Sequence, residues 1–316
     1  MVWRPRRSYN VGMDGAVRLM REIRFSIDRD WARAAHGMDG FEGALPVTNS
    51  WGGWPSAVGI APHLVLRVVV SGAPDPITGY LVNIQELDAL LRGVAIPLAA
   101  QKLSTEGVRV TGESLVRAVW EAIAEKRRNA ETPKSRNAEK SKSQNGERDD
   151  DSDSNGRYEV EALILWTTPF LSYGVTAGDS SMVEVTQSFE FSAAHRLNVP
   201  AMSDEENRAF FGKCNNPNGH GHNYRVEVTV TGEASNPAGR VLPLPRFEEI
   251  VKREVIDRLD HKHLNADTLE FAALNPSVEN IVRTIWRLLD GRFAPARLRR
   301  VRVWETAKTY AEYEGG

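Results

Sequence analysis

The residues best suited to chemistry lie in one short segment, residues 214–224, which reads CNNPNGHGHNY. It contains the chain's only cysteine, Cys214, and the pair His220 and His222. On an extended strand, residues two apart point to the same face, about 6.5–7 Å apart, so both imidazoles can reach one metal ion. His195, in FSAAHRL, offers a third ligand. Three neutral imidazoles with an open fourth position are typical of a catalytic zinc site, whereas the same histidines with Cys214 would make a closed structural site.

The composition favours a two-domain cytoplasmic protein. The chain has 316 residues, which is enough for about two domains. Hydrophobic residues make up 41% and charged residues 26%, as in ordinary globular proteins, and the net charge of -2 gives no reason to expect binding to nucleic acid or a membrane surface. A single cysteine excludes an intrachain disulfide. Neither a signal peptide nor a run of about 18 apolar residues is found.

The chain reads as two copies of one pattern. HLVLRVVV, from His63, is similar to NYRVEVTV, from Asn223, and both alternate as strands do. The helical segments VRAVW and VRTIW follow, and then the strands LILWTT and VRVWET. Each copy therefore predicts the order strand, strand, helix, helix, strand, strand.

We expect the first copy to form a domain over residues 17–178 and the second over residues 181–316, joined near residues 176–181. Residues 127–157 contain almost no apolar side chain, and a basic block there precedes an acidic one. Such a segment cannot bury enough surface to offset its ordering entropy, so it is predicted to be a disordered loop within the first domain.

The candidate chemical groups belong to the second copy. In the first copy, His63 falls one position out of register with the histidine pair, which would turn it to the other face of the strand. Framework residues match while the candidate groups differ, so we expect a catalytic second half and a non-catalytic first half. The differing residues are Arg29 for His195, Ile60 and Pro62 for His220 and His222, Ala or Gln for Asp260 and His261, and Thr167 for Glu305.

The second half resembles the 6-pyruvoyl-tetrahydropterin synthase family over almost all of residues 182–316. The motifs that carry the resemblance are, in order, FSAAHRL, SDEEN, FGKCNNPNGHGHNY, LDHKHLN, PSVENIV and VWET. The resemblance implies an α+β tunnelling fold, in which units of two helices on a four-stranded antiparallel sheet assemble side by side into a barrel. The first half resembles the same family in outline.

The resemblance also implies the chemistry. It implies Zn²⁺ on the three histidines, with Cys214 as the base that removes a proton and with Asp260 and His261 as its relay partner. A thiolate is a competent base when nearby positive charge lowers its pKa. An aspartate next to a histidine fixes the imidazole's tautomer and stabilises its charged form.

For the substrate, the resemblance implies 7,8-dihydroneopterin triphosphate, which is converted to a 6-pyruvoyl product with loss of triphosphate. Glu305, in VWET, is implied to hold the pterin ring, with help from Ser277 and Glu279. A carboxylate can accept two parallel N–H bonds from the 2-amino-pyrimidinone edge. Val278 stands where the family more often has Thr, so that contact departs from the family pattern.

Two other functions remain open at this point. One is 6-carboxy-tetrahydropterin synthase of the queuosine pathway, which acts on the same substrate. The five residues between Cys214 and His220 favour the pyruvoyl-forming enzyme, because the carboxy-forming relatives commonly have a shorter gap. The other is a non-enzymatic pterin-binding or scaffold protein that keeps a structural zinc.

The resemblance further implies a homo-oligomer. The family's barrels hold three units, and the Asp-His pair comes from a different subunit than the cysteine. A barrel that mixed the two copies would separate these groups, so we expect second halves to pair with each other across chains. Three chains would then stack one catalytic barrel on one non-catalytic barrel.

Overall fold

One continuous sheet organises the protein. The computed structural model describes residues 15–27, 62–131, 158–234 and 239–316. Eight strands follow in the spatial order β1-β2-β3-β4-β5-β6-β8-β9, each antiparallel to the next, and the short β7 pairs in parallel with β5. The strands are β1 (Val17–Ser26), β2 (His63–Gly72), β3 (Tyr158–Thr168), β4 (Leu171–Thr176), β5 (Asp179–His195), β6 (His220–Glu233), β7 (Lys262–His263), β8 (Arg297–Thr306) and β9 (Thr309–Tyr313).

The predicted order of strand, strand, helix, helix, strand, strand is confirmed in both halves, with short additional helices in the second. The helices are α1 (Ile84–Glu106), α2 (Gly112–Glu131), α3 (Asp204–Phe211), α4 (Leu244–Val251), α5 (Asp257–Leu259), α6 (Leu264–Asp267) and α7 (Val278–Leu289). A π-helical turn joins α4 to α5. The α+β class with an antiparallel sheet is thus confirmed. None of the helices within the described parts has the length and apolar character needed to cross a membrane.

The sheet has one apolar and one polar face because its strands alternate. In β6, Val226, Val228 and Val230 are buried on the face that packs against the helices. Ile281 and Ile285 of α7 are buried in the same core. The intervening strand residues carry charges that pair across strands on the opposite face, as an antiparallel sheet with one covered side predicts.

The two halves use the same strand registers. In each half, the first strand pairs with the second, the second with the third, and the third with the fourth at corresponding positions. The corresponding pairs are Phe25–Leu64 and Phe191–Tyr224, then Val65–Trp166 and Arg225–Trp304, then Trp166–Ser172 and Trp304–Tyr310.

The halves are joined by a tight hairpin and share the sheet. Thr176 pairs with Asp179, which leaves a two-residue turn between β4 and β5. Strands joined by so short a loop have to pair with each other. The pairing continues until Ser188 N–H donates to the Phe170 carbonyl at 2.8 Å. The expectation of separate, stacked barrels is therefore wrong, because β4 of the first half occupies the edge of β5 that a second catalytic half would need.

A buried carboxylate reinforces this junction. Glu113, in the first turn of α2, is 2% exposed and accepts a hydrogen bond from the Val241 N–H of the second half at 3.4 Å. Glu113 is the second residue of its helix, just as Glu279 is the second residue of α7. Glu113 is therefore the counterpart of Glu279 in the first half. The expectation that every candidate group differs between the halves is wrong at this position.

The predicted loop starts later than expected. Helix α2 continues to Glu131, so residues 127–131 are helical. Arg127 explains the extension, because its guanidinium donates to the Tyr158 carbonyl at 2.6 Å and lies 4.0 Å from the Tyr158 ring centroid. Residues 132–157 lie outside the described residues, as do Arg29 and Ile60 of the predicted comparison between halves.

Candidate metal and catalytic site

The strand register brings the three predicted metal ligands together. His195 ends β5 and pairs directly with His220, the first residue of β6. His222 lies two residues further along β6, so its side chain shares a face with that of His220. This is the apolar face, where Tyr224 continues the same row and is fully buried. The site therefore forms where the core-facing rows of β5 and β6 reach their ends.

The spacing of the imidazoles suits zinc. One ring nitrogen from each histidine lies within 4.8 Å of the other two, and Nε2 of His195 is 3.1 Å from Nε2 of His220. Two nitrogens that are each about 2.0–2.1 Å from a tetrahedral ion are about 3.4 Å apart. The three side chains fit such an ion without a change of strand register.

The surroundings also fix the tautomer that a metal needs. The carbonyl of Pro276 lies 2.7 Å from Nδ1 of His195, and because a carbonyl only accepts, Nδ1 must carry the proton. The lone pair of His195 Nε2 then faces the other two rings. Nε2 of His222 is buried and has no hydrogen-bond partner among the described residues. A buried, unpaired ring nitrogen is costly without a ligand, so these residues fit a bound cation.

Burial keeps two of the three histidines neutral. His195 is 0% exposed, and this burial lowers its pKa to about 4, although the Pro276 carbonyl acts in the opposite direction. Burial also lowers the pKa of His220, and the charge of His222 lowers it further. Neutral imidazole is the form that binds metal, so His195 and His220 are in the metal-binding form at neutral pH.

Glu305 lies beside the three histidines. It follows Val301 and Val303 on the core-facing row of β8, which brings it to the same end of the sheet. Its Oε1 is 3.4 Å from Nε2 of His195 and 3.7 Å from Nε2 of His222. The side chain is 21% exposed, so one side of the carboxylate remains open to a ligand.

Cys214 is held on a separate turn next to the end of β5. It lies in the 3₁₀ turn Gly212–Asn215, and its carbonyl accepts from Leu197 N–H at 2.9 Å. The buried Asn215 amide donates to the Leu197 carbonyl at 2.7 Å and to Asn198 at 2.9 Å. The thiol is half-buried. The sequence analysis did not single out Asn215. Its position directly after the candidate nucleophile Cys214 is visible in the sequence, but its burial is not.

The structure pairs Asp260 with His261. Oδ2 of Asp260 is 2.8 Å from Nδ1 of His261, and Oδ1 accepts from the Ser192 N–H at 2.9 Å. The bond from Ser192, followed by the one from His261, lowers the pKa of Asp260. His261 has a φ of 56° in the left-handed region, and its side chain is 82% exposed. Its ring bonds to Asp260 and otherwise faces outward.

His261 and His222 border one shallow depression of about 480 Å³ over β5, β6 and β7. His261 thus borders the same depression as one candidate metal ligand, although no hydrogen bond in the described residues joins His261 to Cys214. Ser277 caps α7 by accepting from the Asn280 N–H at 3.4 Å, and Glu279 lies in the first turn of that helix. The sequence analysis did not predict the hydrogen bond from His195 to Pro276, because Pro276 accepts it through its backbone carbonyl, a group that every residue has.

Comparisons with known proteins identify the family. The family model described as 6-pyruvoyl tetrahydropterin synthase matches residues 184–316. The human 6-pyruvoyl tetrahydrobiopterin synthase is 41% identical over 138 residues, which are 44% of this chain and 95% of the human protein. The Drosophila melanogaster enzyme of that name is 41% identical over 132 residues, covering 42% and 79% of the two chains. The chain therefore belongs to the 6-pyruvoyl tetrahydropterin synthase family, whose members are lyases, and the tunnelling fold is confirmed.

More distant relatives carry a second name. A 6-carboxy-5,6,7,8-tetrahydropterin synthase from Haemophilus influenzae is 25% identical over 153 residues, which are 42% of this chain and 99% of the other. Among solved structures, the Caenorhabditis elegans 6-pyruvoyl tetrahydropterin synthase is 34% identical, with a TM-score of 0.39, covering 43% of this chain and 96% of the other.

Proposed function

We propose that this protein is a zinc-dependent synthase that converts 7,8-dihydroneopterin triphosphate to 6-pyruvoyl-tetrahydropterin with loss of triphosphate. The observation that carries the proposal is the group of three histidines, with His195 held by Pro276 as the tautomer that a metal requires and with Glu305 beside it. The 41% identity to the human 6-pyruvoyl tetrahydrobiopterin synthase supports the choice of product.

The three histidines would hold the zinc ion, which supplies Lewis acidity toward the oxygens of the substrate's side chain when it is bound. Cys214 accepts a proton from a carbon of that side chain. Because this carbon acid is weak, the base has to be a thiolate held at a fixed position, and the hydrogen bonds of the 3₁₀ turn hold the cysteine backbone.

The proposed roles of Asp260 and His261 follow from their hydrogen bond. Asp260 stays ionised, fixes the proton on Nδ1 of His261 and leaves Nε2 to exchange protons with the substrate or the cysteine. The exposed ring is free to meet a substrate at the depression that it shares with His222.

We propose that Glu305 binds the pterin ring, with Ser277 and Glu279 nearby. A carboxylate accepts two parallel N–H bonds from the ring's amino-pyrimidinone edge, which fixes the ring's orientation. The position of Glu305, next to His195 and His222, would bring the ring's side chain within reach of the metal ligands.

The second candidate is 6-carboxy-tetrahydropterin synthase, and the Haemophilus influenzae relative favours it. The five residues between Cys214 and His220 favour the pyruvoyl product instead. A third candidate, a pterin-binding scaffold with structural zinc, is disfavoured because metal binding alone needs neither the Asp260–His261 pair nor Glu305.

The test is incubation of the zinc-loaded full chain with 7,8-dihydroneopterin triphosphate, followed by mass analysis of the pterin. The expected result is the pyruvoyl product together with inorganic triphosphate. A carboxy product would establish the second candidate. The absence of turnover, with pterin still bound, would establish the scaffold.

We also propose that residues 17–178 are a non-catalytic repeat of the catalytic domain, residues 181–316. The shared strand registers of the two halves support a duplication. Thr167 stands at the position of Glu305, and Pro62 at that of His222, so the first half lacks groups on which the proposed chemistry depends.

A further inference from the structure

A buried amide next to Cys214 uses both its donors and its acceptor. Asn215 is 3% exposed. Its Nδ2 donates to the Leu197 carbonyl at 2.7 Å and to Oδ1 of Asn198 at 2.9 Å, and its Oδ1 accepts from the Arg196 guanidinium at 3.3 Å. An amide whose donors and acceptor are all paired in a buried network is held in one orientation.

These bonds cross from the turn that carries Cys214 to residues 196–198, which we call the anchor segment. Two backbone contacts join the same parts. Leu197 N–H donates to the Cys214 carbonyl at 2.9 Å, and Nε of Arg196 donates to the Asn215 carbonyl at 3.3 Å. Because a 3₁₀ turn of four residues has poor hydrogen-bond geometry of its own, its position depends on such external bonds. The Asn215 side chain makes the shortest of them.

The anchor segment is itself held from other directions. Asn265 binds the Arg196 backbone, since its Oδ1 accepts from the N–H at 2.8 Å and its Nδ2 donates to the carbonyl at 3.0 Å. Oδ1 of Asn275 accepts from the Asn198 N–H at 3.1 Å. The segment directly follows the candidate ligand His195. It is therefore a fixed support, placed next to the proposed metal site, to which the turn is attached.

The thiol of Cys214 lies within electrostatic range of the buried row that carries the histidines. Burial raises the pKa of Tyr224, and the charges of Glu305 and then of Cys214 raise it further. The Tyr224 hydroxyl is 3.4 Å from Nδ1 of His195. A shift of the turn would therefore change the distance between the thiol and a metal ion held by the histidines.

We propose that Asn215 is a positioning residue, which fixes the Cys214 thiol relative to the three histidines by holding its turn against the anchor segment. The inference rests on the proposed function, in which Cys214 removes a proton from the substrate's side chain. Such a step depends on the position of the base, and a displacement of about 1 Å lowers the rate by about 10²-fold. Asn215 thus contributes to kcat through Cys214.

The test is Asn215→Ala in the full chain, with alkylation of Cys214 by iodoacetamide as the first readout. Cys214 is the only cysteine, so the rate reports on this thiol alone. At about pH 10 an ordinary thiol is ionised, and the rate then compares access to the sulfur. Loss of the Asn215 bonds increases the fraction of open turn, so alkylation is expected to be faster by about 10-fold. Zinc is expected to stay near one ion per chain, because the three histidines are intact.

Asn207→Ala is the matched control. Asn207 is 1% exposed, accepts from the Val199 N–H at 2.7 Å and donates to backbone carbonyls at 3.0–3.1 Å. It is as buried as Asn215, but these bonds do not reach the turn of Cys214. Its alkylation rate is expected to equal that of the unsubstituted chain. Equal increases in both variants would overturn the proposal, because they would show a general loosening of the fold.

Turnover is the second readout. We expect kcat to fall by about 10²-fold in Asn215→Ala with KM unchanged, and to stay unchanged in Asn207→Ala. Faster alkylation of Asn215→Ala with unchanged kcat would overturn the positioning role. An unsubstituted chain without turnover would overturn the proposed function instead, and the alkylation rates would still decide whether Asn215 holds the turn.

Arg196→Met is the milder variant, for use if Asn215→Ala does not fold. It removes both guanidinium bonds to Asn215 and leaves the donors of the amide in place. Alkylation of Cys214 is expected to be faster, by a smaller factor than in Asn215→Ala, while circular dichroism shows an unchanged fold. An unchanged alkylation rate in folded Asn215→Ala, or in Arg196→Met where only that variant folds, would overturn the proposal.

Discussion

The carboxylate of Glu305 lies against the buried imidazole of His195, with 3.4 Å between Oε1 and Nε2. The last core-facing residue of β8 is thereby placed next to a candidate metal ligand that comes from β5. A single carboxylate at this position could serve as a ligand of a substrate or of a metal ion held by the three histidines. Experiments on Glu305 therefore have to measure pterin binding and metal binding separately.

Replacing Glu305 tests its proposed role as a pterin ligand. Glu305→Gln keeps the size of the side chain but removes its charge, and a charge-assisted hydrogen bond contributes about 1.5–3 kcal/mol. We expect pterin affinity to fall by about 10-fold or more, while zinc stays near one ion per chain. Isothermal titration with a product pterin and metal analysis measure the two quantities. Loss of zinc with unchanged pterin affinity would assign the carboxylate to the metal.

Removal of one ligand tests the metal site. His222→Ala leaves two imidazoles, which do not make a stable zinc site, so we expect the purified variant to lose its zinc. His261→Ala is the control, because its exposed ring is expected to be outside the coordination sphere, and it should keep zinc while losing turnover. Equal zinc content in the two variants would contradict the assignment of the ligands.

The cysteine separates a catalytic zinc from a structural one. Cys214→Ala is expected to lose turnover while zinc stays near one ion per chain, because three histidines suffice to hold the metal. Metal analysis and product formation are measured on the same preparation. Loss of zinc in this variant would indicate the closed site of three histidines and a thiolate.

Asp260 tests the relay pair. Asp260→Asn can still accept from Ser192 N–H, but it no longer stabilises a charged His261, so we expect kcat to fall by about 10²–10⁴. The pH profile of the remaining activity should shift along with it. Asp257→Asn is the matched control, since that exposed carboxylate pairs with Lys252 and should leave kcat unchanged. Unchanged kcat in Asp260→Asn would remove the pair from the mechanism.

Glu113 links pH to the stability of the junction between halves. Burial raises the pKa of Glu113 above its ordinary 4.5, although the charge of Arg240 acts against this. The folded chain therefore holds more protons than the unfolded chain above about pH 4.5, so the stability from this group falls as pH rises through its folded pKa.

Glu113→Gln keeps an acceptor for Val241 N–H and removes the charge that burial disfavours. We expect Tm at pH 7 to rise by about 2–4 °C, which corresponds to about 1 kcal/mol, and to depend less on pH. Glu113→Ala leaves that N–H unpaired and should lower stability by about 1–3 kcal/mol. A lower Tm for Glu113→Gln at pH 7 would show that the carboxylate is stabilised as an anion. Differential scanning calorimetry from about pH 5 to 8 checks both variants.

Local spacing explains what could be predicted. The pairing of His220 with His222 follows from two-residue alternation, and the order of elements in each half follows from the same periodicities. The end of α2 could not be predicted in this way. Arg127 reaches Tyr158 across 31 positions, a contact that no local pattern records.

The sequence by itself determined which residues can bind a metal, the order of the elements and the family. Those properties depend on side-chain types and on short spacings between residues, and both can be read directly from the amino-acid sequence. Only the tertiary structure decided that Pro276 fixes the tautomer of His195, 81 positions away, and that β4 and β5 join both halves in one sheet. Such contacts arise from packing and strand pairing over long separations, and a backbone carbonyl or a strand edge has the same chemistry in every residue.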